Sequence, residues 1–195
     1  MGDVTTLSAT ADGREIAAAI LDRARRGDQE AFATLIRHYD SGLRALAYRL
    51  LGDRDRMDDA LQEAYVKAFR ALPRFRGQSR LSTWLYRIAY NACLDELQRS
   101  RRVVQLPLDG VAERAQPGLD PGDVAALRTD LAQALATLPV EERAAVLLVD
   151  AQGFDYRDAG RVLGVPEGTV ASRLNRARAA LRRALGDAPA GVSEG

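Results

Sequence analysis

The run Tyr156-Arg-Asp-Ala-Gly-Arg-Val-Leu-Gly-Val-Pro-Glu-Gly-Thr-Val-Ala-Ser-Arg-Leu174 decides the fold. Tyr156, Ala159, Val162 and Leu163 fall on one face of a short helix, Gly164 permits a tight turn, and Val165 fills the angle between two helices. Pro166 suits the start of the second helix, where its missing N–H would be unpaired anyway, and Glu167 sets a carboxylate against the positive helix end. From there Val170, Leu174, Ala177 and Leu181 step along one inward stripe. The pattern predicts a helix-turn-helix whose second helix turns Thr169, Ser172, Arg173 and Arg176 outward. Those positions enter the major groove in this motif, where arginine bonds guanine bidentately and short hydroxyls hold phosphates or read bases. An ordinary helical hairpin is the plainer alternative.

Working upstream, helical periodicity continues. Val124, Leu127, Leu131, Leu135 and Leu138 form one stripe, and Pro139 opens a helix with Val146, Leu147 and Val149 that ends at Gly153. Residues 103–122 differ: Pro107, Pro117, Pro121 and three glycines stand among few large apolar side chains, which predicts a flexible linker. Before it come stripes at Ile16–Ala24, Phe32–Tyr39, Leu43–Leu51, Leu61–Leu72 and Leu85–Leu97, with Asp28 as a cap, Gly52 and Pro73 as stops, and Ser82 or Thr83 as a further cap. No alternating strand pattern competes. The expected class is all-α: a disordered N-terminus at 1–13, a helical domain at 14–102, the linker at 103–122, a helix-turn-helix domain at 123–186 and a tail at 187–195. About 64 residues is near the lower limit for independent stability, so the second domain is expected to lean on a partner.

Composition bounds the function. The 195 residues carry 28 Lys plus Arg against 27 Asp plus Glu, a net charge of +1. The total hides segregation. Residues 74–102 hold seven arginines against Asp95 and Glu96, and residues 169–183 hold five arginines and no acid, so each block is +5. Residues 103–130 and 131–168 are each −3. Nucleic-acid affinity needs local charge of this kind, although a solvated helix face has the same composition. Only Lys67 is lysine, a bias that a GC-rich genome also produces. One cysteine, Cys93, and one histidine, His38, leave no disulfide and no Cys/His zinc set. Cys93 beside Ala92 and Leu94 reads as packed rather than redox-sensing. No secretory signal and no apolar run of membrane-spanning length is visible, so the expected compartment is the cytoplasm, without direct membrane association. No nucleophile–base pair, phosphate-cradling loop or metal spacing stands out; the expectation is a protein that is not an enzyme and takes no cofactor and no metal.

The stretch Arg74-Phe-Arg-Gly-Gln-Ser-Arg-Leu-Ser-Thr-Trp-Leu-Tyr-Arg-Ile-Ala-Tyr-Asn91 interleaves basic and aromatic residues around a glycine-centred loop. Arginines that track phosphates and aromatic faces that receive unstacked bases suit single-stranded nucleic acid. Packing of Trp84 and Tyr90 in the core is the competing reading. Just upstream, Asp53, Asp55, Asp58, Asp59 and Glu63 cluster at a helix start. Dipole complementarity accounts for some of them, and Gln62 and Glu63 lie one turn beyond Asp58 and Asp59, which favours a protein-docking face over a metal site.

Asp58-Asp-Ala-Leu-Gln-Glu63, Phe75-Arg-Gly77, Thr83-Trp-Leu-Tyr-Arg-Ile-Ala-Tyr-Asn91 and Gly168-Thr-Val-Ala-Ser-Arg173, in that order, resemble a bacterial RNA polymerase sigma factor of the extracytoplasmic-function (ECF) group of the main sigma family. The resemblance spans about 30–185, apart from the linker. It implies that 14–102 is a region 2-like domain and 123–186 a region 4-like one. Asp58, Asp59, Gln62 and Glu63 would dock on a coiled-coil helix pair of the polymerase clamp. Phe75, Arg76, Gly77, Gln78, Ser79, Trp84, Arg87 and Asn91 would melt the minus-ten element and take a flipped base. Thr169, Ser172, Arg173 and Arg176 would read the minus-thirty-five element as duplex, and the linker would thread toward the polymerase active-site cleft. Implied partners are core RNA polymerase, promoter DNA and an anti-sigma factor. Ala171 departs from the Lys or Arg of many relatives, which shifts the reading onto Arg173 and Arg176. A stand-alone helix-turn-helix regulator, an RNA-binding regulator and a metal nuclease built on Asp53–Glu63 are the other classes.

Overall fold

The computed structural model describes residues 11–104 and 123–186, with side chains described over 18–100 and 130–186. The described residues form eight α-helices and no strand: α1 (Ala11–Arg25), α2 (Gln29–Leu51), α3 (Arg54–Ala71), α4 (Leu81–Val104), α5 (Asp123–Thr137), α6 (Val140–Val146), α7 (Tyr156–Leu163) and α8 (Glu167–Leu185). Local chemistry sets most of the boundaries. Asp28 accepts from the Ala31 amide at 3.0 Å to start α2, and Asp53 accepts from the Arg56 amide at 2.8 Å to start α3. Pro73 turns the end of α3 into a short 3₁₀ turn, Leu72–Arg74. Pro139 and Pro166 stand immediately before α6 and α8, and Asp155 caps α7 through the Asp158 amide at 2.7 Å.

Three differences from the sequence reading concern boundaries. α1 begins at Ala11, inside the stretch expected to be disordered; the rest of that stretch, 1–10, lies outside the described residues. α4 runs on through Val104 because no breaker precedes Pro107, so of the expected linker only 105–122 lies outside the described residues, as does the tail at 187–195. The helix opened by Pro139 widens into a π turn at Leu147–Ala151 before Gly153.

α1 to α4 form an N-terminal bundle with Leu43, Leu46, Leu61 and Cys93 at its centre, each nearly or fully buried. α5 to α8 form the second module around Leu148, Val162, Val170 and Leu174. The turn between α7 and α8 passes through Gly164 at φ 68, a left-handed conformation that a side chain would strain. The modules are not held apart. One continuous buried cluster runs from Leu43 and Leu61 through Tyr86 and Tyr90 to Leu148, Val162 and Leu174, with α7 lying on α4 and with α5 and α6 against α2. The small second module thus gains apolar cover from the first.

Candidate nucleic-acid interface

The loop between the 3₁₀ turn and α4 builds a pocket. Gly77, at φ 69, bends the chain so that the residues on either side face the first two turns of α4. A cavity of about 510 Å³ results, lined by Arg74, Phe75, Arg76, Gln78, Ser79, Thr83, Trp84, Arg87 and Arg161. Phe75 and Trp84 are both half-buried and lean on each other with ring centroids 5.1 Å apart. Arg25 fixes Phe75 from behind: its guanidinium lies over the ring at 5.7 Å and donates to the Phe75 carbonyl. Trp84 therefore combines the two sequence readings, one face packed and one on the cavity.

Two features distinguish the pocket. Among the described residues no ion pair engages Arg74, Arg76 or Arg87, so three guanidiniums converge without a carboxylate. Thr83 is 2% exposed, yet its hydroxyl has no hydrogen-bond partner among the described residues. A buried hydroxyl left unpaired costs about 1–3 kcal/mol, which an incoming polar group would recover. The expected cap role for Ser82 or Thr83 does not hold, because α4 already starts at Leu81. Of the residues singled out in the sequence, the structure brings Phe75, Arg76, Gln78, Ser79, Trp84 and Arg87 together around one space. Gly77 shapes the loop without lining the cavity, and Asn91 is exposed on α4 one turn beyond Arg87, outside the lining. Arg74, Thr83 and Arg161 were missed; Arg161 belongs to the other module and left no sequence signal.

On α8 the inward stripe is as expected: Val170, Leu174 and Ala177 are fully buried and Leu181 half-buried. Ser172 and Arg176 are exposed, while Thr169 and Arg173 are half-buried. Arg173 lies close enough to Tyr90 of α4 that its charge opposes the rise that burial and Glu141 impose on the phenol. The block is less bare than its +5 suggests. Arg176 donates to Glu142 at 2.7 Å, and Arg178 makes two bonds to Asp150 at 2.6 and 3.1 Å.

The acidic residues of α3 share one side of the bundle. Asp59 and Gln62 are exposed, and Asp58 is exposed but held by Arg44 at 2.6 Å. Glu63 is half-buried between Lys67 at 2.8 Å and Arg99 at 2.9 Å, and these two hydrogen bonds hold its carboxyl below the usual range. Beside Gln62 opens an apolar groove of about 520 Å³ lined by Gln29, Phe32, Gln62, Tyr65, Val66, Phe69 and Arg70. Tyr65 and Phe69 belong to the apolar stripe read at Leu61–Leu72, yet both are only half-buried at this groove, and Val66 is 44% exposed. An apolar residue off the buried stripe was the available signal. Among the described residues no group of three or more His, Cys, Asp or Glu side chains can hold a metal ion. Cys93 is fully buried, and burial pushes its thiol up to about 12, far from thiolate chemistry at neutral pH.

Comparison with known proteins bears on both modules. Residues 29–103 match Sigma-70 region 2, and residues 128–181 match Sigma-70, region 4. The ECF RNA polymerase sigma factor SigM of Mycobacterium tuberculosis is 43% identical over 169 residues, which cover 86% of this chain and 83% of that protein. The RNA polymerase sigma-H factor of Pseudomonas aeruginosa is 36% identical, over 85% and 92% of the two chains. Among solved structures, the sigma factor RpoE in complex with the anti-sigma factor NepR from Bartonella quintana aligns with a TM-score of 0.64 at 31% identity, over 79% of this chain and 96% of that one. CnrH in complex with the cytosolic domain of CnrY aligns with a TM-score of 0.65 at 27% identity, over 86% and 95%. Both modules, in this order, are those of a polymerase-associated initiation factor, not of an enzyme and not of a stand-alone regulator. The chain belongs to the ECF RNA polymerase sigma factors.

Proposed function

We propose that the chain directs core RNA polymerase to a subset of promoters and opens them through the pocket at the start of α4. The unpaired Thr83 hydroxyl among three unneutralised arginines is the observation that carries this reading. A base of the non-template strand leaves the stack, lies against Trp84 and hydrogen-bonds to Thr83 or Gln78, while Arg76 and Arg87 hold its phosphates. Stacking of this kind is worth about 1–3 kcal/mol per base, comparable with the cost of extruding one. Arg173 and Arg176 of α8 read the minus-thirty-five duplex, with Thr169 and Ser172 on bases or phosphates. Asp58, Asp59, Gln62 and Glu63 dock on polymerase, and the groove at Phe32, Tyr65, Val66 and Phe69 extends that face with an apolar strip suited to an amphipathic helix. In this division 14–102 serves the minus-ten element and polymerase, 123–186 serves the minus-thirty-five element, and 103–122 bridges them through the enzyme. The protein acts in the cytoplasm, and an anti-sigma factor restrains it; the solved sigma factor RpoE bound to the anti-sigma factor NepR supports that partner.

The test is binding and melting with purified core polymerase. Wild type opens a promoter only when core is added. Asp59→Arg weakens core binding at least tenfold, while duplex binding through α8 is unchanged. Unchanged polymerase affinity would overturn the docking assignment.

A further inference from the structure

α1 lies upstream of the stretch that matches Sigma-70 region 2, which begins at residue 29. Its last turn nevertheless packs under the loop that forms the pocket. Ala24, Ala31 and Leu72 make a small buried cluster, and Leu21, Phe32, Phe75 and Trp84 pack on it. The end of α1, the start of α2 and the 3₁₀ turn therefore share one apolar floor with the two aromatic residues of the pocket. Gly27, at φ 90, turns the chain between the two helices, and the Asp28 amide donates to the Arg23 carbonyl at 3.2 Å. In that last turn Arg23 is exposed, whereas Arg25 is half-buried.

The loop has little of its own to hold it. Its backbone hydrogen bonds lie at the two ends, where the Phe75 amide donates to Leu72 at 3.0 Å and the Arg80 carbonyl accepts from the Trp84 amide at 3.1 Å. Among the described residues, the one hydrogen bond that reaches the loop backbone from an element distant in the chain comes from Arg25, to the Phe75 carbonyl. The same guanidinium lies over the Phe75 ring, and Asp22, one turn earlier on α1, faces it at 3.8 Å. Phe75 in turn leans on Trp84. Arg25 does not line the cavity. A planar guanidinium can cover a ring with its face and donate from its edge at once, whereas an ammonium is a point charge with no face to stack.

We propose that Arg25 of α1 is a positioning residue for promoter opening: it holds Phe75, and through Phe75 the Trp84 ring, in the attitude that receives an unstacked base. The assignment rests on reading the pocket as the single-strand site. Arg25 makes no contact with DNA; it differs in this from Arg76 and Arg87, which face the cavity. α1 thereby becomes part of the melting machinery, and the guanidinium rather than the charge alone is what the role requires.

Trp84 is the single tryptophan of the chain, so its emission reports the pocket wall without a label. The experiment reads that emission on the full chain, and in parallel the binding of a fluorescein-labelled single strand of about 12 nucleotides by holoenzyme reconstituted with core polymerase. Arg25→Ala is expected to shift the emission to the red, to raise acrylamide quenching and to weaken strand binding roughly fivefold, the size of one partly desolvated cation–π contact. Arg25→Lys, which keeps the charge, is expected to restore neither. In a Phe75→Leu background Arg25→Ala is expected to cost roughly twofold at most, because the ring through which it acts is gone. Duplex binding through α8 stays at the wild-type level in every variant. An unchanged emission in Arg25→Ala overturns the positioning role. Full recovery in Arg25→Lys, or an undiminished loss in the Phe75→Leu background, overturns it too and makes Arg25 a phosphate contact. A shifted emission with unchanged strand binding, while Arg87→Ala still weakens it, overturns the role and leaves the pocket reading standing. Strand binding that neither Arg25→Ala nor Arg87→Ala alters overturns the pocket reading and the positioning role with it.

Discussion

The two candidate DNA surfaces have the same charge on paper and opposite electrostatics in space. At the start of α4, Arg74, Arg76 and Arg87 converge on a cavity, and among the described residues none of them has a carboxylate partner. On α8, Arg176 and Arg178 are tied to Glu142 and Asp150 of their own module. The negative balance of 131–168 therefore lies partly against the positive balance of α8, whereas the acids of α3 leave the pocket alone. In the function proposed above, affinity at the first surface comes from a space already shaped for an anion and a base. At the second it comes from displacing internal partners, a weak and salt-sensitive process. A chain so arranged is expected to bind duplex promoter poorly alone and to gain specificity when polymerase holds both modules in place.

The largest effect that sharpens this contrast is expected in the pocket. Trp84→Ala combined with Arg87→Ala removes a stacking face and a phosphate partner, and open-complex formation with core polymerase should fall roughly a hundredfold. Duplex binding by α8 should not change. Permanganate footprinting of unpaired thymines reads the first quantity and fluorescence anisotropy on closed duplex reads the second. Equal losses in both would erase the distinction between the surfaces.

How much of this was legible in the sequence follows the range of the interactions. The Asp28, Asp53 and Pro166 boundaries and the Val170–Leu174–Ala177 stripe rest on neighbours within one or two turns, and local spacing revealed them. The loop before α4 was legible as a cluster because its arginines and aromatics are adjacent in the chain. Thr83 looked like a cap because hydroxyls at helix starts usually are caps; only packing turns it into a buried, unpaired group. Glu142 with Arg176 and Asp150 with Arg178 are 34 and 28 residues apart, and Tyr86 with Gln152 is 66 apart. No periodicity encodes such pairs. The linker composition likewise suggested separated modules, while the apolar faces of α4 and α7 bring them together.

A smaller effect is expected at Arg173. If its guanidinium bonds a base bidentately, Arg173→Ala costs about 1–3 kcal/mol of discrimination between the cognate minus-thirty-five element and a scrambled one. The comparison needs both duplexes with the holoenzyme, since Arg173 is half-buried in the chain alone. Equal loss on the two sequences would reduce Arg173 to a phosphate contact and leave base reading to Arg176.

Glu142→Gln is the mildest perturbation and the most direct probe of the contrast. It removes the acceptor charge from Arg176 while keeping a hydrogen-bonding side chain at 16% exposure. The lost ion pair is largely exposed on the arginine side, so the stability change should stay below about 1 kcal/mol. With one more unneutralised cation on α8, binding to random duplex should tighten a few-fold, and the slope of log K against log salt should steepen by about 1. Melting through the pocket should stay at the wild-type level. A salt slope identical to wild type would mean that Arg176 exchanges Glu142 for phosphate at no cost, and that the two surfaces differ in shape rather than in charge.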